Sequence, residues 1–174
     1  MNMRVLFDSA AIAARNAQLA GDIAKLMPAE FVAVGVLKGS FVFLADLMRA
    51  LDAVGMRPEV EFMRLSSYGG ARESAGVVRL LGEPAADLAE RDVLLVDDIA
   101  DTGVSLTYAH DFLLARGAAR VRTCVLLDKP ARRRVAFAPD FVGFTVQNEF
   151  VVGYGLDDAE RFRHLPYLAV IDEA

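Results

Sequence analysis

The chain has few residues of several types, and each shortage excludes a class of structure or function. Its 174 residues include a single cysteine, Cys124, which excludes a framework of intramolecular disulfide bonds. This cysteine lies in the apolar-rich segment VRTCVLLD, where a free cysteine is typically a small buried core residue. The two histidines, His110 and His164, fall neither in a Ser/His/Asp set nor at a metal-ligand spacing, so we assign them no catalytic role.

Long apolar runs and an excess of positive charge are also missing. No segment approaches the roughly 18 apolar residues of a membrane span, and Asp8 interrupts the N-terminal apolar residues. We therefore expect a soluble, cytoplasmic protein. The net charge of −5 argues against a nucleic-acid binder, which usually has a basic face. A GxxxxGK motif is absent, which argues against a nucleotide triphosphatase.

Apolar residues, in contrast, make up 55% of the chain and supply a core for one domain over residues 1–174. Apolar residues at helical spacing predict helices over residues 9–27, 40–54 and 106–115. Strand patterns cover residues 31–36, 60–65, 77–81 and 120–127. Strands that alternate with helices predict an α/β fold with a mainly parallel sheet, and the short strands after Phe141 predict an appended subdomain.

The most informative segment is VLLVDDIADTGVSL, residues 93–106. Its apolar start predicts a strand buried on both faces of a parallel sheet, and ligands bind beyond the carboxyl ends of such strands. Gly103 lets the backbone approach a ligand closely, while Thr102 and Ser105 add hydroxyl donors where a helix begins. This loop therefore suits a phosphate group.

Two adjacent carboxylates, Asp97 and Asp98, precede the loop. They would repel a phosphate, but they can accept hydrogen bonds from sugar hydroxyls or hold Mg²⁺. An acidic pair followed by an anion-binding loop indicates a site for a phosphorylated sugar. The residue types alone fit an ordinary strand, turn and capped helix equally well, because helix caps use the same side chains.

The segment resembles the phosphoribosyl-pyrophosphate-binding motif of type I phosphoribosyltransferases, which ends in Asp-Thr-Gly. Three further segments, in the same order, resemble the purine-salvage branch: LKGS (residues 37–40) its pyrophosphate loop, SSYGG (residues 66–70) its mobile catalytic loop, and residues 139–171 its purine-binding hood. The family with the most similar pattern is hypoxanthine (hypoxanthine-guanine) phosphoribosyltransferase. The resemblance implies the type I fold, a mainly parallel twisted sheet flanked by helices with a small hood formed mainly by about residues 129–174.

The resemblance also implies an activity. The enzyme would transfer the phosphoribosyl group from phosphoribosyl pyrophosphate to a 6-oxopurine, hypoxanthine and guanine, with Mg²⁺ as cofactor. It would act as a homo-oligomer, either a dimer or a tetramer. Two alternatives stay open: a preference for xanthine, and a ligand-sensing regulator that keeps the fold without the catalysis.

Individual roles follow from the same resemblance. The residues that it places around the substrates are Lys38, Gly39, Ser67, Tyr68, Asp97, Asp98, Thr102, Gly103, Val104, Ser105, Lys129, Phe150, Val151 and Arg163. Those that it places near Mg²⁺ are Asp97, Asp98 and Asp157. Asp101 is implied as the catalytic group that accepts or shares the proton at purine N7.

The implied roles divide the site into two ends. At the purine end, Lys129 would donate to the 6-oxo oxygen, Phe150 would stack on the base, and Val151 would offer backbone groups. At the pyrophosphate end, Lys38 and Arg163 would bind the leaving group next to a non-proline cis peptide after Leu37, with Tyr68 in a covering lid. We interpret the three arginines at 132–134 as part of a solvated surface or an interface. The resemblance places residue 133 near the pyrophosphate.

Overall fold

The part of the chain that the structure describes contains two sheets. The larger one has six strands and is covered by helices on both faces, and the smaller one has three strands. The computed structural model describes residues 2–68 and 77–172. The strands are β1 (Asn2–Phe7), β2 (Val32–Leu37), β3 (Glu59–Tyr68), β4 (Val77–Gly82), β5 (Asp92–Ala100), β6 (Arg120–Asp128), β7 (Phe141–Thr145), β8 (Val151–Val152) and β9 (Leu168–Asp172). The helices are α1 (Ser9–Leu26), α2 (Phe41–Ala53) and α3 (Val104–Ala115), with a 3-10 turn at Pro130–Arg132.

The main sheet has the strand order β4-β3-β2-β5-β6-β7. Its neighbouring strands are parallel except for β3 and β4, which are antiparallel. The prediction of an α/β fold with a mainly parallel sheet is therefore confirmed. β2 and β5 lie in the middle and are buried along most of their length, as their unbroken apolar sequences require.

The helices cover the two faces of this sheet. α1 and α2 pack on one face, where Leu94 and Val96 of β5 belong to their core cluster together with the buried Cys124. α3 packs on the other face with Val93 and Leu95. The expectation of a buried core cysteine is confirmed. Among the helices of residues 2–68 and 77–172, none is long and apolar enough to cross a membrane.

The helix boundaries agree with the sequence prediction to within two residues. α1 begins after Asp8, whose side chain accepts a hydrogen bond from the Ala11 amide at 2.8 Å, and it ends before Pro28. α3 begins at Val104, two residues before the predicted start at Leu106. The apolar periodicity starts only at Leu106, so it does not reveal that the end of the ligand loop is already helical.

The three-stranded sheet, the hood, has the antiparallel order β1-β9-β8. β1 was not predicted, because its partner β9 lies at the opposite end of the chain and the pairing is not visible in local sequence. The hood contacts the main sheet through Phe7, whose ring stacks on that of Phe144 with the ring centroids 3.9 Å apart. Both chain ends therefore contribute to the hood.

Candidate active site

Three neighbouring strands, β2, β5 and β6, end at the same edge of the sheet because they are parallel. Residues 38–40 follow β2, residues 101–103 follow β5, and Lys129 follows β6. The amide of Lys129 donates a hydrogen bond to the carbonyl oxygen of Ala100 at 2.9 Å, which joins the second and third of these connections. The structure therefore collects at one edge the candidate residues that are scattered along the sequence.

Asp97, which is buried, and Asp98, which is partly buried, form an acidic pair at this edge. One carboxylate oxygen of Asp97 accepts from the Asp98 amide at 2.9 Å, and one of Asp98 accepts from the Ile99 amide at 2.8 Å. Burial raises the pKa of Asp97 well above its usual value, and the charge of Asp98 adds to this effect. Burial also raises the pKa of Asp98. Hydroxyl donors or a cation would relieve this unfavourable pair.

We predict that Asp97→Asn stabilises the protein in the absence of substrate and Mg²⁺. A carboxyl pKa above its unfolded value of about 3.9 makes folding less favourable as pH rises from that value through the raised pKa. Asparagine removes this cost, so the gain in Tm should be large at pH 8 and shrink towards pH 4. Differential scanning calorimetry measures both values. The control is Asp52→Asn, at an exposed position on α2. A lower Tm for Asp97→Asn at pH 8 would contradict the prediction.

The loop after β2 packs directly on the acidic pair. A Cβ atom on Gly39 would lie 1.7 Å from Oδ2 of Asp98, so any larger residue would displace the Asp98 carboxylate. A Cβ atom on Gly155, in the hood, would lie 2.4 Å from the carbonyl oxygen of Gly39. The peptide bond between Leu37 and Lys38 is cis, as the resemblance implied. The loop is thus held between the acidic pair on one side and the hood on the other.

The loop after β5 leads into the N-terminus of α3. Gly103 has a φ of 84°, and Thr102 Oγ1 accepts from the Val104 amide at 3.4 Å. Ser105 follows in the first turn of the helix. Glycine provides no side chain to cap this helix. The positive end of the helix dipole and the first-turn amides after Val104 can therefore face an anion, and the long hydrogen bond from the Val104 amide to Thr102 can be exchanged for one to the anion. This arrangement suits a phosphate.

Arg133 fixes this loop, a function that sequence reasoning missed. Its guanidinium donates to the carbonyl oxygens of Ala100, Asp101 and Phe137 at 3.0, 2.7 and 2.9 Å, and it also pairs with Asp128. The side chain is mostly buried, contrary to the interpretation of residues 132–134 as a surface run. The only available signal was its position four residues after Lys129, and nothing in that spacing reveals the carbonyl acceptors.

Asp101 and Lys129 lie at the edge of the sheet, next to the segment that leads into β8 of the hood. Arg132 Nε donates to Asp101 Oδ1 at 2.6 Å, a contact that the sequence did not reveal. Lys129 Nζ donates to the carbonyl oxygen of Glu149 at 2.7 Å. Burial lowers the pKa of Lys129, while the nearby charge of Asp101 acts in the opposite direction. The site therefore offers a buried cationic donor close to a carboxylate.

The hood supplies an exposed aromatic ring next to these groups. Phe150 is 52% exposed, whereas the adjacent Val151 is buried and pairs with Val170 of β9. The carbonyl oxygen of Phe150 accepts from the Ile171 amide at 3.2 Å, which fixes its backbone. An exposed phenylalanine on a fixed backbone suits stacking on a flat ligand.

The cations that the resemblance assigns to pyrophosphate have acidic partners. Lys38 Nζ lies 3.1 Å from Glu160 Oε2, and Arg163 Nη2 lies 3.0 Å from Asp157 Oδ1. Arg163 Nε is also 3.5 Å from Glu160 Oε2. Hydrogen bonds from Lys38 and Arg163 lower the pKa of Glu160. These ion pairs bring both cations to one end of the site.

The prediction of a mobile loop over residues 66–70 is wrong for its first three residues. Residues 66–68 belong to β3, where Ser67 and Tyr68 pair with Val78 and Val77 of β4. The side chains of Ser67 and Tyr68, and residues 69 and 70 of the predicted loop, lie outside the described part of the chain. Within residues 2–68 and 77–172, no three His, Cys, Asp or Glu side chains are grouped to hold a metal ion. Asp157 is therefore not brought together with Asp97 and Asp98 as a set of three ligands.

Comparison with known proteins agrees with this geometry. The phosphoribosyl transferase domain family matches residues 5–159. The chain is 47% identical to the hypoxanthine-guanine phosphoribosyltransferase of Aquifex aeolicus, over 82% of this chain and 78% of that protein. It is 41% identical to the hypoxanthine phosphoribosyltransferase of Escherichia coli, over 97% and 95% of the two chains.

A solved structure of Trypanosoma cruzi hypoxanthine phosphoribosyltransferase superposes with a TM-score of 0.90 at 38% identity, covering 97% of this chain and 91% of that one. Sequence and fold thus lead to the same relatives over nearly the whole length. The chain belongs to the phosphoribosyltransferase family, in its hypoxanthine and hypoxanthine-guanine branch.

Proposed function

We propose that the protein transfers the 5-phosphoribosyl group from phosphoribosyl pyrophosphate to hypoxanthine and guanine, which yields IMP or GMP and pyrophosphate in purine salvage. The observation that carries this proposal is the meeting of three features at one sheet edge. They are the N-terminus of α3, the acidic pair of Asp97 and Asp98, and the buried Lys129 beside the hood. The activities named for the relatives agree with it.

The phosphoribosyl part would be held at two points. The loop of residues 102–105 would bind the 5′-phosphate through its amides and hydroxyls, because it forms the start of a helix whose cap residue, Gly103, has no side chain. Asp97 and Asp98 would accept hydrogen bonds from the ribose hydroxyls. Phosphate binding far from the reacting carbon provides binding energy that positions C1′ for attack.

The purine would bind under the hood. Phe150 would stack on the ring, and Val151 would contact the base edge through its backbone. Lys129 would donate to the 6-oxo oxygen. Adenine has an amino group at this place, so an ammonium would face a donor and binding would be weak. This arrangement favours hypoxanthine and guanine over adenine.

The chemical step would be attack of purine N9 on C1′ with departure of pyrophosphate. Asp101 would accept or share the proton at N7 as the base becomes nucleophilic. Lys38 and Arg163 would contact the leaving pyrophosphate. Lys38 would have to part from Glu160 and Arg163 from Asp157, and both are ion pairs at least partly open to solvent.

Mg²⁺ fits the donors of this site. Asp97 and Asp98 offer the hard oxygen ligands that it prefers, and a bound cation would stabilise the charged form of carboxylates whose pKa values are raised by burial. Substrate oxygens and water would complete the shell, since Mg²⁺ is commonly held by only one or two carboxylates. When bound, Mg²⁺ would supply positive charge to the pyrophosphate. Asp157 would act nearby through Arg163.

A single assay tests the activity. Purified protein is mixed with phosphoribosyl pyrophosphate and Mg²⁺, and hypoxanthine, guanine, xanthine and adenine are supplied in parallel. We expect nucleotide and pyrophosphate from the first two bases. Turnover mainly with xanthine would replace the proposed substrate, and turnover with adenine alone would contradict the role of Lys129. Absence of turnover with all four would refute the enzyme and favour a regulator.

We also propose that the chain forms a homo-oligomer. The Trypanosoma cruzi relative has a C-terminal region with a role in its oligomeric state, and our chain covers most of that protein. Light scattering after size-exclusion chromatography should give two or four times the chain mass of 18.9 kDa. A mass of one chain at micromolar concentration would contradict this.

The cytoplasmic location stays a prediction.

A further inference from the structure

The turn that contacts Arg163 has an uncommon backbone. Gly153, Tyr154 and Gly155 all have positive φ, at 96°, 49° and 100°. This region favours glycine, and a tyrosine occupies it only where the surrounding structure compensates for the strain. The contacts of Tyr154 should therefore explain why the turn keeps this conformation.

The hydroxyl of Tyr154 joins the turn to two helices. It donates to Asp46 Oδ2 of α2 at 2.6 Å and accepts from Asn16 Nδ2 of α1 at 3.0 Å. Tyr154 and Asn16 are only 5% and 4% exposed. Burial and the hydrogen bond to Asp46 raise the pKa of Tyr154. The hydroxyl is thus a buried, doubly bonded anchor.

The anchored turn leads directly to the pyrophosphate end of the site. The Gly155 amide donates to the carbonyl oxygen of Arg163 at 3.0 Å, and Arg163 Nη1 donates to the carbonyl oxygen of Gly155 at 2.8 Å. Gly155 also packs against the carbonyl oxygen of Gly39. α2, which carries Asp46, begins two residues after Gly39. The anchor therefore ties the hood to the helix that continues from the loop after β2.

We propose that Tyr154, with Asp46 and Asn16, is a positioning residue for the pyrophosphate end of the substrate. By holding residues 153–155 against α1 and α2, its hydroxyl keeps Arg163 beside the loop that carries Lys38. It touches neither substrate. The inference rests on the proposed function, because it assumes that Lys38 and Arg163 bind pyrophosphate.

The space around the anchor makes its loss consequential. A cavity of about 720 Å³ lies between α1, α2 and the hood, and its lining includes Asn16, Asp46, Tyr154 and Arg163. Without the hydroxyl, the turn loses its hydrogen bonds to α1 and α2 on the side that faces this space. Arg163, which also lines the space, is then held only by the turn itself and by its ion pairs. The purine end is supported elsewhere, by the pairing of β8 with β9. Loss of the anchor should consequently affect the two ends of the substrate unequally.

The test is Tyr154→Phe, which removes only the hydroxyl. We expect the Kd of inorganic pyrophosphate with Mg²⁺, measured by isothermal titration calorimetry, to rise roughly fivefold, the effect of losing one hydrogen bond from Arg163 to pyrophosphate when Arg163 is misplaced. The KM for phosphoribosyl pyrophosphate should rise by the same factor. The KM for hypoxanthine and the kcat at saturation should change by less than about twofold, since the base contacts stay in place.

Two sets of controls make the result decisive. Tyr108→Phe, which alters an exposed tyrosine on α3, should leave all these constants unchanged. Asp46→Ala should reproduce Tyr154→Phe, whereas Asp46→Asn keeps an oxygen acceptor for the hydroxyl and should largely restore binding. Both Asp46 variants lose the ion pair with Arg49, so their difference reports on the hydroxyl contact. This pair also decides the matter if Tyr154→Phe does not fold.

Two results would overturn the inference. One is an unchanged Kd for pyrophosphate in Tyr154→Phe. The other is an equal loss of affinity for pyrophosphate and hypoxanthine, because a general loosening of the fold acts on both ends. If the wild-type protein itself neither binds pyrophosphate nor turns over, the proposed function fails. Tight binding by the wild type together with equal binding by the variant removes only the role of Tyr154.

Discussion

Asp101→Asn should fold normally, bind both substrates and lose most of its turnover. We expect kcat to fall by roughly 10²–10⁴-fold, the usual contribution of a positioned acid or base. The reason is chemical, because an asparagine amide cannot take the proton that a carboxylate accepts from purine N7. The affinity for phosphoribosyl pyrophosphate should change little, since the proposed contacts with the 5′-phosphate and the ribose are made by other residues.

Asparagine is the informative replacement because of Arg132. The arginine Nε donates to Asp101 Oδ1 at 2.6 Å, and the amide oxygen of asparagine can accept the same hydrogen bond. The side chain should keep its orientation while losing its charge and basicity. Alanine would also release Arg132, so its effect would mix proton transfer with a rearranged site.

Pre-steady-state kinetics with hypoxanthine measures the chemical step, and pyrophosphate release gives an independent signal. The matched control is Asp111→Asn, which changes an exposed carboxylate on α3. This carboxylate lies 3.2 Å from Nδ1 of His110. This control should keep full activity. If Asp101→Asn retains both substrate affinities and full turnover, then Asp101 has no role in proton transfer and merely stiffens the loop.

The features of the site that were predictable from sequence are those with local chemistry. The apolar residues 93–96 dictate a buried strand, and the acids and small residues that follow have to lie at its carboxyl end. Gly39 is another such feature, because its match to the pyrophosphate loop coincides with a position where a Cβ atom would displace the Asp98 carboxylate. In both cases a few consecutive residues determine the backbone conformation or the burial that the site requires.

The features that were missed depend on contacts between distant segments. β1 needs β9 as a partner, and no local pattern in its six residues specifies that pairing. Arg133 looks like one member of a basic run until the carbonyl oxygens that it binds are known. Tyr154 is unremarkable in sequence, because its two hydrogen-bond partners are more than 100 residues away.

The cations assigned to the substrates share a property that their sequence positions do not reveal. Each cation assigned to the substrates already has an internal partner. Lys38 is paired with Glu160, Arg163 with Asp157, and Lys129 with the carbonyl oxygen of Glu149. Substrate binding therefore exchanges one set of hydrogen bonds for another. The net gain in binding free energy is therefore smaller than the number of substrate contacts suggests. Removal of a cation should cost the most binding free energy where that cation is buried.

Lys129 is the buried case, and Lys129→Met should therefore have the second large effect. The methionine side chain has similar length and no charge. A hydrogen bond from a charged donor contributes about 1.5–3 kcal/mol, so kcat/KM for hypoxanthine should fall by roughly 10- to 150-fold. The discrimination against adenine should fall as well, because the ammonium that opposes the 6-amino group is gone. Steady-state kinetics with both bases gives the ratio.

The stability of the same variant separates a lost contact from a damaged fold. Burial lowers the pKa of Lys129, so the unfolded chain binds a proton there more tightly than the native protein does. Below its unfolded pKa this difference costs stability, and methionine removes the cost. We therefore expect Lys129→Met to keep or raise its Tm at pH 7 while activity falls. Lys25→Met, at an exposed position on α1, should leave activity unchanged. A variant that keeps its preference for hypoxanthine over adenine would show that base selection lies elsewhere, in the backbone of Val151 or in the shape of the hood.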